Sequence, residues 1–172
     1  AKSIERMEEL LGDILPVRLT CTPHLGSILG TAAADLWGLN ELMLDMAMRP
    51  EAIHRLMTHL RDATLQNMKD VAASGLLTRN NHGAMTCSDP IGPPVPDNEV
   101  TYANLWHMTN SQEFDAVGPD MWREFCLEYQ RPIVEQFGYS AYGCCENLTQ
   151  KIDGVLSLKN LRIFVCSAWT DL

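Results

Sequence analysis

Apolar residues recur at helical spacing along much of the chain. The strongest pattern lies in residues 50–75, where Ile53 and Met57 begin a series of apolar positions on one helical face. Pro50 fits the first position of such a helix, and Gly75 is placed to end it. The same kind of pattern predicts helices over residues 1–11, 25–36, 41–48, 119–137 and 148–158.

Short runs of β-branched and apolar residues alternate with these helices. The clearest predicted strand covers residues 161–167, with the sequence Leu-Arg-Ile-Phe-Val-Cys-Ser. We expect a kink or break at Pro132, because proline removes a hydrogen bond from a helix interior. Further strands are predicted at residues 15–22, 76–81, 102–108 and 139–144.

Strands separated by helices indicate βαβ units and a parallel sheet, which is the α/β class. A full (β/α)₈ barrel needs about 250 residues. The chain has 172 residues, so we predict one domain, 1–172, that forms a partial TIM-type barrel too short to close alone. Residues 83–101 are rich in proline and predict a long loop. Open sheet edges invite pairing, so we expect self-association or a second chain that completes the barrel.

The charge of the chain argues against several kinds of partner. The formal net charge is −9, and the 13 basic residues are spread thinly, so we expect no nucleic-acid partner. No apolar run reaches the ~20 residues that span a bilayer, so we expect no membrane association. The first residues are too charged for a signal peptide, which favours a cytoplasmic location. We interpret the six cysteines as reduced thiols, since they lack the regular spacing of a disulfide framework.

The most notable polar cluster follows the strand predicted at 139–144. The C-terminal ends of parallel barrel strands are where active sites are built. Cys144 and Cys145 offer thiolates that bind zinc, and Glu146 offers a further ligand or an acid–base group. Adjacent strand residues point to opposite faces, so one of the two cysteines is expected to be structural unless the strand has ended. The alternative is a pair of buried thiols that pack as small hydrophobic groups.

Other polar groups follow other predicted strands. Gln112 and Glu113 could line a pocket or belong to a solvated loop. His82 could join the strand-end cysteines as a ligand, or it could hydrogen-bond the long loop. Cys166 and His107 are each a possible ligand or a structural core residue. The chain has no GxGxxG, Walker, GxSxG or HExxH motif, so nucleotide-dependent and serine-hydrolase chemistry lack support.

Several stretches together resemble the uroporphyrinogen decarboxylase-like superfamily. They are most similar to the branch that contains methylcobamide:coenzyme M methyltransferases and corrinoid demethylation proteins. The resemblance covers nearly all of the chain but only the middle and later part of the family barrel. It is carried by Arg49-Pro50-Glu51-Ala52-Ile53-His54, Ser111-Gln112-Glu113, Val117-Gly118-Pro119-Asp120-Met121-Trp122, Tyr142-Gly143-Cys144-Cys145-Glu146-Asn147-Leu148 and Ser167-Ala168-Trp169-Thr170-Asp171.

The resemblance implies a (β/α)₈ barrel and, for the methyltransferases, a zinc held by a His-x-Cys element and a later Cys. The zinc activates a thiol acceptor, which takes a methyl group from a corrinoid on a partner protein. Cys144 matches the Cys of that element, Tyr142 stands where the His would be, and Cys145 stands where Gly is usual. Our assignment is Glu146 and Glu113 as catalytic groups, Cys144 and Cys145 as metal ligands, and His82, Gln112, Tyr142 and Asn147 as contacts to a small-molecule substrate.

Two other functions stay open. The first is a cofactor-free uroporphyrinogen decarboxylase of tetrapyrrole biosynthesis, which depends on N-terminal Arg and Asp residues. The chain contains no Arg-Gln-Ala-Gly-Arg-Tyr-like motif, so methyl transfer is preferred. The second is a non-catalytic fragment, or a partner of a corrinoid protein, that works only by association.

Overall fold

Helices and parallel strands form an α/β fold in a computed structural model of the chain, which describes residues 2–21, 28–81 and 87–172. The strands are β1 (Trp106–Thr109), β2 (Tyr139–Tyr142) and β3 (Leu161–Phe164). Within these ranges, no helix has the length and apolar character needed to cross a membrane. The helices are α1 (Lys2–Leu11), α2 (Leu29–Trp37), α3 (Leu39–Met48), α4 (Pro50–Ala73), α5 (Pro119–Trp122), α6 (Glu128–Val134) and α7 (Ile152–Leu156).

The three strands form one parallel sheet in the order β1-β2-β3. Trp106 lies opposite Tyr139, and Thr109 lies opposite Tyr142, so β1 and β2 end level with each other. The pairing of β2 with β3 shifts at Ser140. Because all strands are parallel, their C-terminal ends meet at one edge of the sheet.

The strand predicted at 15–22 is wrong for its described residues, and so is the strand at 76–81. Both segments are extended. Between paired strands a backbone carbonyl accepts each backbone N–H, but here a side-chain oxygen accepts one of them. The backbone N–H of Thr78 donates to the carbonyl of Cys21 at 2.9 Å, while the N–H of Cys21 donates to the hydroxyl oxygen of Thr78 at 2.9 Å.

Asn80 makes a similar replacement on the other side of this segment. Its side-chain amide nitrogen donates to the carbonyl of Trp106 at 2.8 Å, and its amide oxygen accepts the N–H of Trp106 at 2.9 Å. A side-chain amide therefore satisfies the first backbone groups of β1 where a neighbouring strand would otherwise do so. The extended segment lies beside β1 without forming a regular ladder.

The helix predicted at 119–137 is interrupted before Pro132. A π-helical turn (Arg123–Leu127) separates α5 from α6, and α6 then continues through Pro132 to Val134. The wider turn allows three successive residues, Phe125, Cys126 and Leu127, to be buried together. Three successive positions of a regular α-helix span about 200° around its axis, which is wider than the apolar stripe of a typical surface helix.

The sheet separates two buried clusters. The larger one lies between the sheet and the helices, and it includes Trp122, Tyr142 and the apolar face of α4. The smaller one, on the other face, contains Cys87, Trp106 and Ala141. The indole N–H of Trp106 donates to the carbonyl of Asp89 at 2.9 Å, so part of the loop predicted at 83–101 covers this face.

Candidate functional site

Glu146 connects the C-terminal ends of all three strands. Its side chain is buried, with Oε1 accepting the backbone N–H of Ser111 at 2.8 Å and Oε2 accepting the backbone N–H of Cys144 at 2.9 Å. Its own carbonyl accepts the hydroxyl of Ser167 at 2.8 Å. Ser111 follows β1, Cys144 follows β2 and Ser167 follows β3, so one residue links the three loops.

These contacts indicate what Glu146 can do chemically. Hydrogen bonds from backbone amides to a buried carboxylate are charge-assisted and strong. Both carboxylate oxygens are aimed at amides of the polypeptide, on the turn that carries the two cysteines. Glu146 therefore positions the turn. None of its hydrogen bonds described above supports the catalytic role predicted for it.

Gly143 permits the sharp turn between β2 and the cysteines. Its φ is +112°, a conformation that residues with a side chain rarely adopt. A Cβ at this position would lie 2.5 Å from the carbonyl oxygen of Val165. The N–H of Gly143 donates to the carbonyl of Thr109 at 3.0 Å, so the turn is fastened to the neighbouring strand as well.

The thiols of Cys144 and Cys145 lie together, with their Sγ atoms 3.6 Å apart. β2 ends at Tyr142, so the alternation expected within a strand does not separate them. Cys144 is half-buried and Cys145 is exposed. The hydrogen bond with Cys145 raises the pKa of the Cys144 thiol, and burial raises it further. The pair is thus accessible from solvent, with both thiols reduced.

The distance between the two sulfurs is suitable for two ligands of one zinc ion. Thiolates bound to zinc at ~2.3 Å in a tetrahedral site lie about 3.8 Å apart, close to the observed separation. Across residues 2–21, 28–81 and 87–172, however, no group of three His, Cys, Asp or Glu side chains could hold a metal ion. His82, predicted to contact substrate, lies outside the described residues. We therefore assign no reaction step to a metal.

Tyr142, predicted to contact substrate, lies inside the core. Its side chain has no exposed surface, and its hydroxyl donates to Oε1 of Gln130 at 2.7 Å. Gln130 in turn donates to the carbonyl of Asn110 at 2.7 Å. Burial raises the pKa of the Tyr142 hydroxyl well above its ordinary value. These contacts tie β2 to α6 and to the loop after β1, and they keep Tyr142 away from solvent.

Glu113 points toward the helices. Its Oε1 accepts the hydroxyl of Thr31, in the first turn of α2, at 2.5 Å. Its Oε2 is buried and has no hydrogen-bond partner among the described residues. A carboxylate in this position is stabilised by the positive end of the helix dipole. Gln112 and Asn147 are both exposed near the strand ends, where a substrate could reach them.

Lys151 is a buried cation that the sequence pattern did not single out. Its Nζ donates to the carbonyls of Phe114 at 2.7 Å and Asp115 at 3.0 Å. Burial lowers the pKa of its ammonium group. No local motif marks this lysine, because its partners lie more than thirty residues away in sequence.

A cavity of about 480 Å³ opens beside Lys151, between the loops that follow the strands. Its wall includes the exposed indole of Trp169, in the stretch that follows β3. The other residues that line the cavity include Asp115, Gly118, Asn147, Thr149 and Asp171.

No protein-family model, curated protein or solved structure matches the chain.

Proposed function

We propose that the chain is part of a (β/α)₈ barrel of the uroporphyrinogen decarboxylase-like superfamily, and that the protein catalyses methyl transfer in corrinoid-dependent metabolism. The observation that carries this proposal is the pair of thiols, Cys144 and Cys145, at the C-terminal edge of a parallel sheet. Active sites of parallel barrels are built at that edge. The parallel order of the three strands supports the partial barrel expected from the sequence.

In this function the thiols of Cys144 and Cys145 provide two ligands for zinc. When bound, zinc lowers the pKa of a thiol or water that it ligates and so supplies a nucleophile. Glu146 holds the backbone amide of Cys144 in place, and Gly143 allows the turn to approach β3. The exposed side chains of Gln112 and Asn147, together with His82, are the proposed contacts to the small-molecule substrate.

The methyl donor in this proposal is a corrinoid carried by a partner protein. The cavity beside Lys151 lies between the loops that follow the strands, and we propose that the corrinoid protein docks over these strand ends. Glu113 is proposed to support this edge through its contact with α2, in addition to the catalytic role predicted from the sequence.

Metal analysis and methyl transfer by the full-length protein test the proposal. We expect one equivalent of zinc per chain. We also expect transfer of a methyl group from methylcobalamin to a small thiol, measured as the loss of the methylcobalamin absorption. Cys144→Ala should lose both zinc and turnover, whereas Cys166→Ala, which removes another exposed thiol, should retain them. Full zinc stoichiometry in the Cys144→Ala protein would contradict the role of Cys144 as a zinc ligand. Decarboxylation of uroporphyrinogen in a strong chelator would favour the alternative enzyme.

A second proposal concerns association. Three large apolar side chains are exposed near one another in sequence, with 71% of Ile14, 60% of Leu15 and 63% of Leu19 accessible. They lie in or next to the extended segment that contacts Thr78. We propose that this segment pairs with a second copy of the chain or with another chain that extends the sheet layer.

A further inference from the structure

The turn that carries Cys144 and Cys145 is anchored on both sides. Before the pair, the N–H of Gly143 donates to the carbonyl of Thr109 at 3.0 Å, and that of Cys144 donates to Glu146. After the pair, the N–H of Asn147 donates to Oδ1 of Asp115 at 2.6 Å. The backbone of this turn is therefore fixed to the end of β1 and to the loop that follows it, which places the two thiols next to each other in advance of any ligand.

The separation of the two sulfurs decides which chemistry suits them. A disulfide has an S–S distance of about 2.05 Å, so its formation would require the sulfurs to approach by roughly 1.5 Å. A disulfide between adjacent residues also closes an eight-membered ring that contains their peptide bond, and the planar trans peptide opposes closure of so small a ring. A single atom that bonds both sulfurs leaves them apart, so the geometry favours a bridging ligand over a disulfide.

The number of protein ligands that each bridging atom needs separates zinc from trivalent arsenic. A zinc site needs at least three protein ligands, so zinc at this point requires a ligand from outside the described residues in addition to the two thiols. A trivalent arsenic that carries one organic substituent needs only two further bonds. It is also soft and therefore prefers sulfur, as thiophilic metals do.

We propose that Cys144 and Cys145 form a two-thiol chelating site for monosubstituted trivalent arsenicals. An arsenical R–As=O reacts with the two thiols to give R–As(S–Cys144)(S–Cys145) and one water. Two S–H bonds and the arsenic–oxygen bonds break, while two As–S bonds form. The oxide oxygen leaves as water with both thiol protons. Arsenic stays trivalent throughout, so the reaction needs no oxidant or reductant.

This inference is independent of the proposed methyl transfer, although both use the same turn. Capture of the arsenical needs only the two thiols and no ligand from elsewhere in the protein. A bound arsenical would occupy both sulfurs and exclude zinc from them. The protein could therefore bind arsenicals without being a methyltransferase, and the measurements below do not involve methyl transfer.

Phenylarsine oxide is the probe for the test. The reduced full chain, treated with one equivalent and examined by intact-protein mass spectrometry, should gain the mass of the reagent minus one water, because one C6H5As unit replaces the two thiol hydrogens. The adduct should survive excess β-mercaptoethanol and be removed by dithiothreitol, because only a dithiol can replace two As–S bonds together. Peptide mapping should place arsenic on the peptide that contains both cysteines.

Matched serine variants separate this site from the other thiols. Cys144→Ser and Cys145→Ser should each lose the monothiol-resistant adduct, whereas Cys166→Ser should keep it, although Cys166 is also exposed. An adduct of undiminished yield in Cys145→Ser, or one mapped to Cys21 or Cys166 in the unaltered protein, would overturn the proposal. The mapping requires no variant, so misfolding of a variant cannot hide a negative result.

Discussion

Glu146 shows how a single side chain can determine the form of a strand-end site. The sequence places it beside two cysteines, which suggests a ligand or an acid–base group. In the structure its two oxygens accept backbone amides from two different loops, at Ser111 and Cys144. Ser111 is 35 residues away, so the contact follows from the tertiary fold and has no local signal. The position of the cysteine turn after β2 could be predicted from the sequence, but the structural role of Glu146 as an acceptor of two backbone amides could not.

Replacement of Glu146 by glutamine tests this structural role. Gln has one acceptor oxygen, and its NH₂ group would face one of the two backbone donors. Leaving a buried donor unsatisfied costs about 1–3 kcal/mol, so we expect the free energy of unfolding in urea to fall by that amount. Glu99→Gln removes the same charge from an exposed residue and should change stability little. Equal effects of the two substitutions would contradict the role of Glu146.

Gly154 is a second position at which one atom matters. An added Cβ would lie 2.5 Å from Cζ3 of Trp122, a side chain that is itself buried. Overpacking of this kind typically costs about 1–3 kcal/mol, so Gly154→Ala should lower the thermal midpoint of unfolding. Gly118→Ala is the control, since a Cβ there meets no atom within 4 Å. If both variants melted alike, the contact between α7 and Trp122 would not be as tight as described.

At the scale of whole elements, periodicity was a good guide to the helices and a poorer one to the strands. The prediction at 50–75 is confirmed by α4, which buries Ile53, Met57 and Met68 on one face. The strands at 15–22 and 76–81 had suitable composition, but hydrogen bonds from Thr78 and Asn80 side chains replace part of the ladder. Such replacements depend on long-range partners, which a local pattern does not contain.

The packing of β1 on the helical layer gives a pH-dependent prediction. Burial of His107, which stacks on Phe137, lowers its pKa to about 4. Above pH ~6.5 the imidazole is neutral in both the folded and the unfolded chain. Between pH ~6.5 and ~4 only the unfolded chain binds the proton, so stability falls as the pH falls, by about 3 kcal/mol in total.

Urea unfolding at several pH values between 7 and 4 measures this effect. His107→Phe keeps a ring for the stack on Phe137 and removes the titrating group, so its stability should depend less steeply on pH. His59→Gln, which changes an exposed histidine, should keep the full dependence. Parallel curves for the His107→Phe variant and the unaltered protein would show that other groups cause the acid sensitivity.

At the scale of the whole molecule, the fold has an unevenly distributed core. The larger cluster joins the helices to one face of the sheet, whereas residues of the other face are covered by the loop that contains Cys87 and Asp89. α1 has no buried residue, so its apolar side chains contribute little to either cluster. The α/β class and the parallel strand direction could be predicted from alternating helices and strands. The covering of the second face could not, because it depends on an irregular loop.

The exposed segment around Leu19 gives the last prediction. If the extended segment that contacts Thr78 pairs with another chain, the protein should form larger species as its concentration rises. A charge on the apolar contact opposes this association, because burial of an unpaired charge is costly. We therefore expect Leu19→Glu to shift sedimentation velocity profiles toward the monomer. Leu44→Glu is a matched control on α3, since Leu44 is 66% exposed against 63% for Leu19, and both substitutions add one negative charge to the acidic chain. Equal shifts in the two variants would mean that general charge repulsion, and not this segment, governs association. A monomeric unaltered protein at all concentrations would leave a different chain as the only partner for the segment.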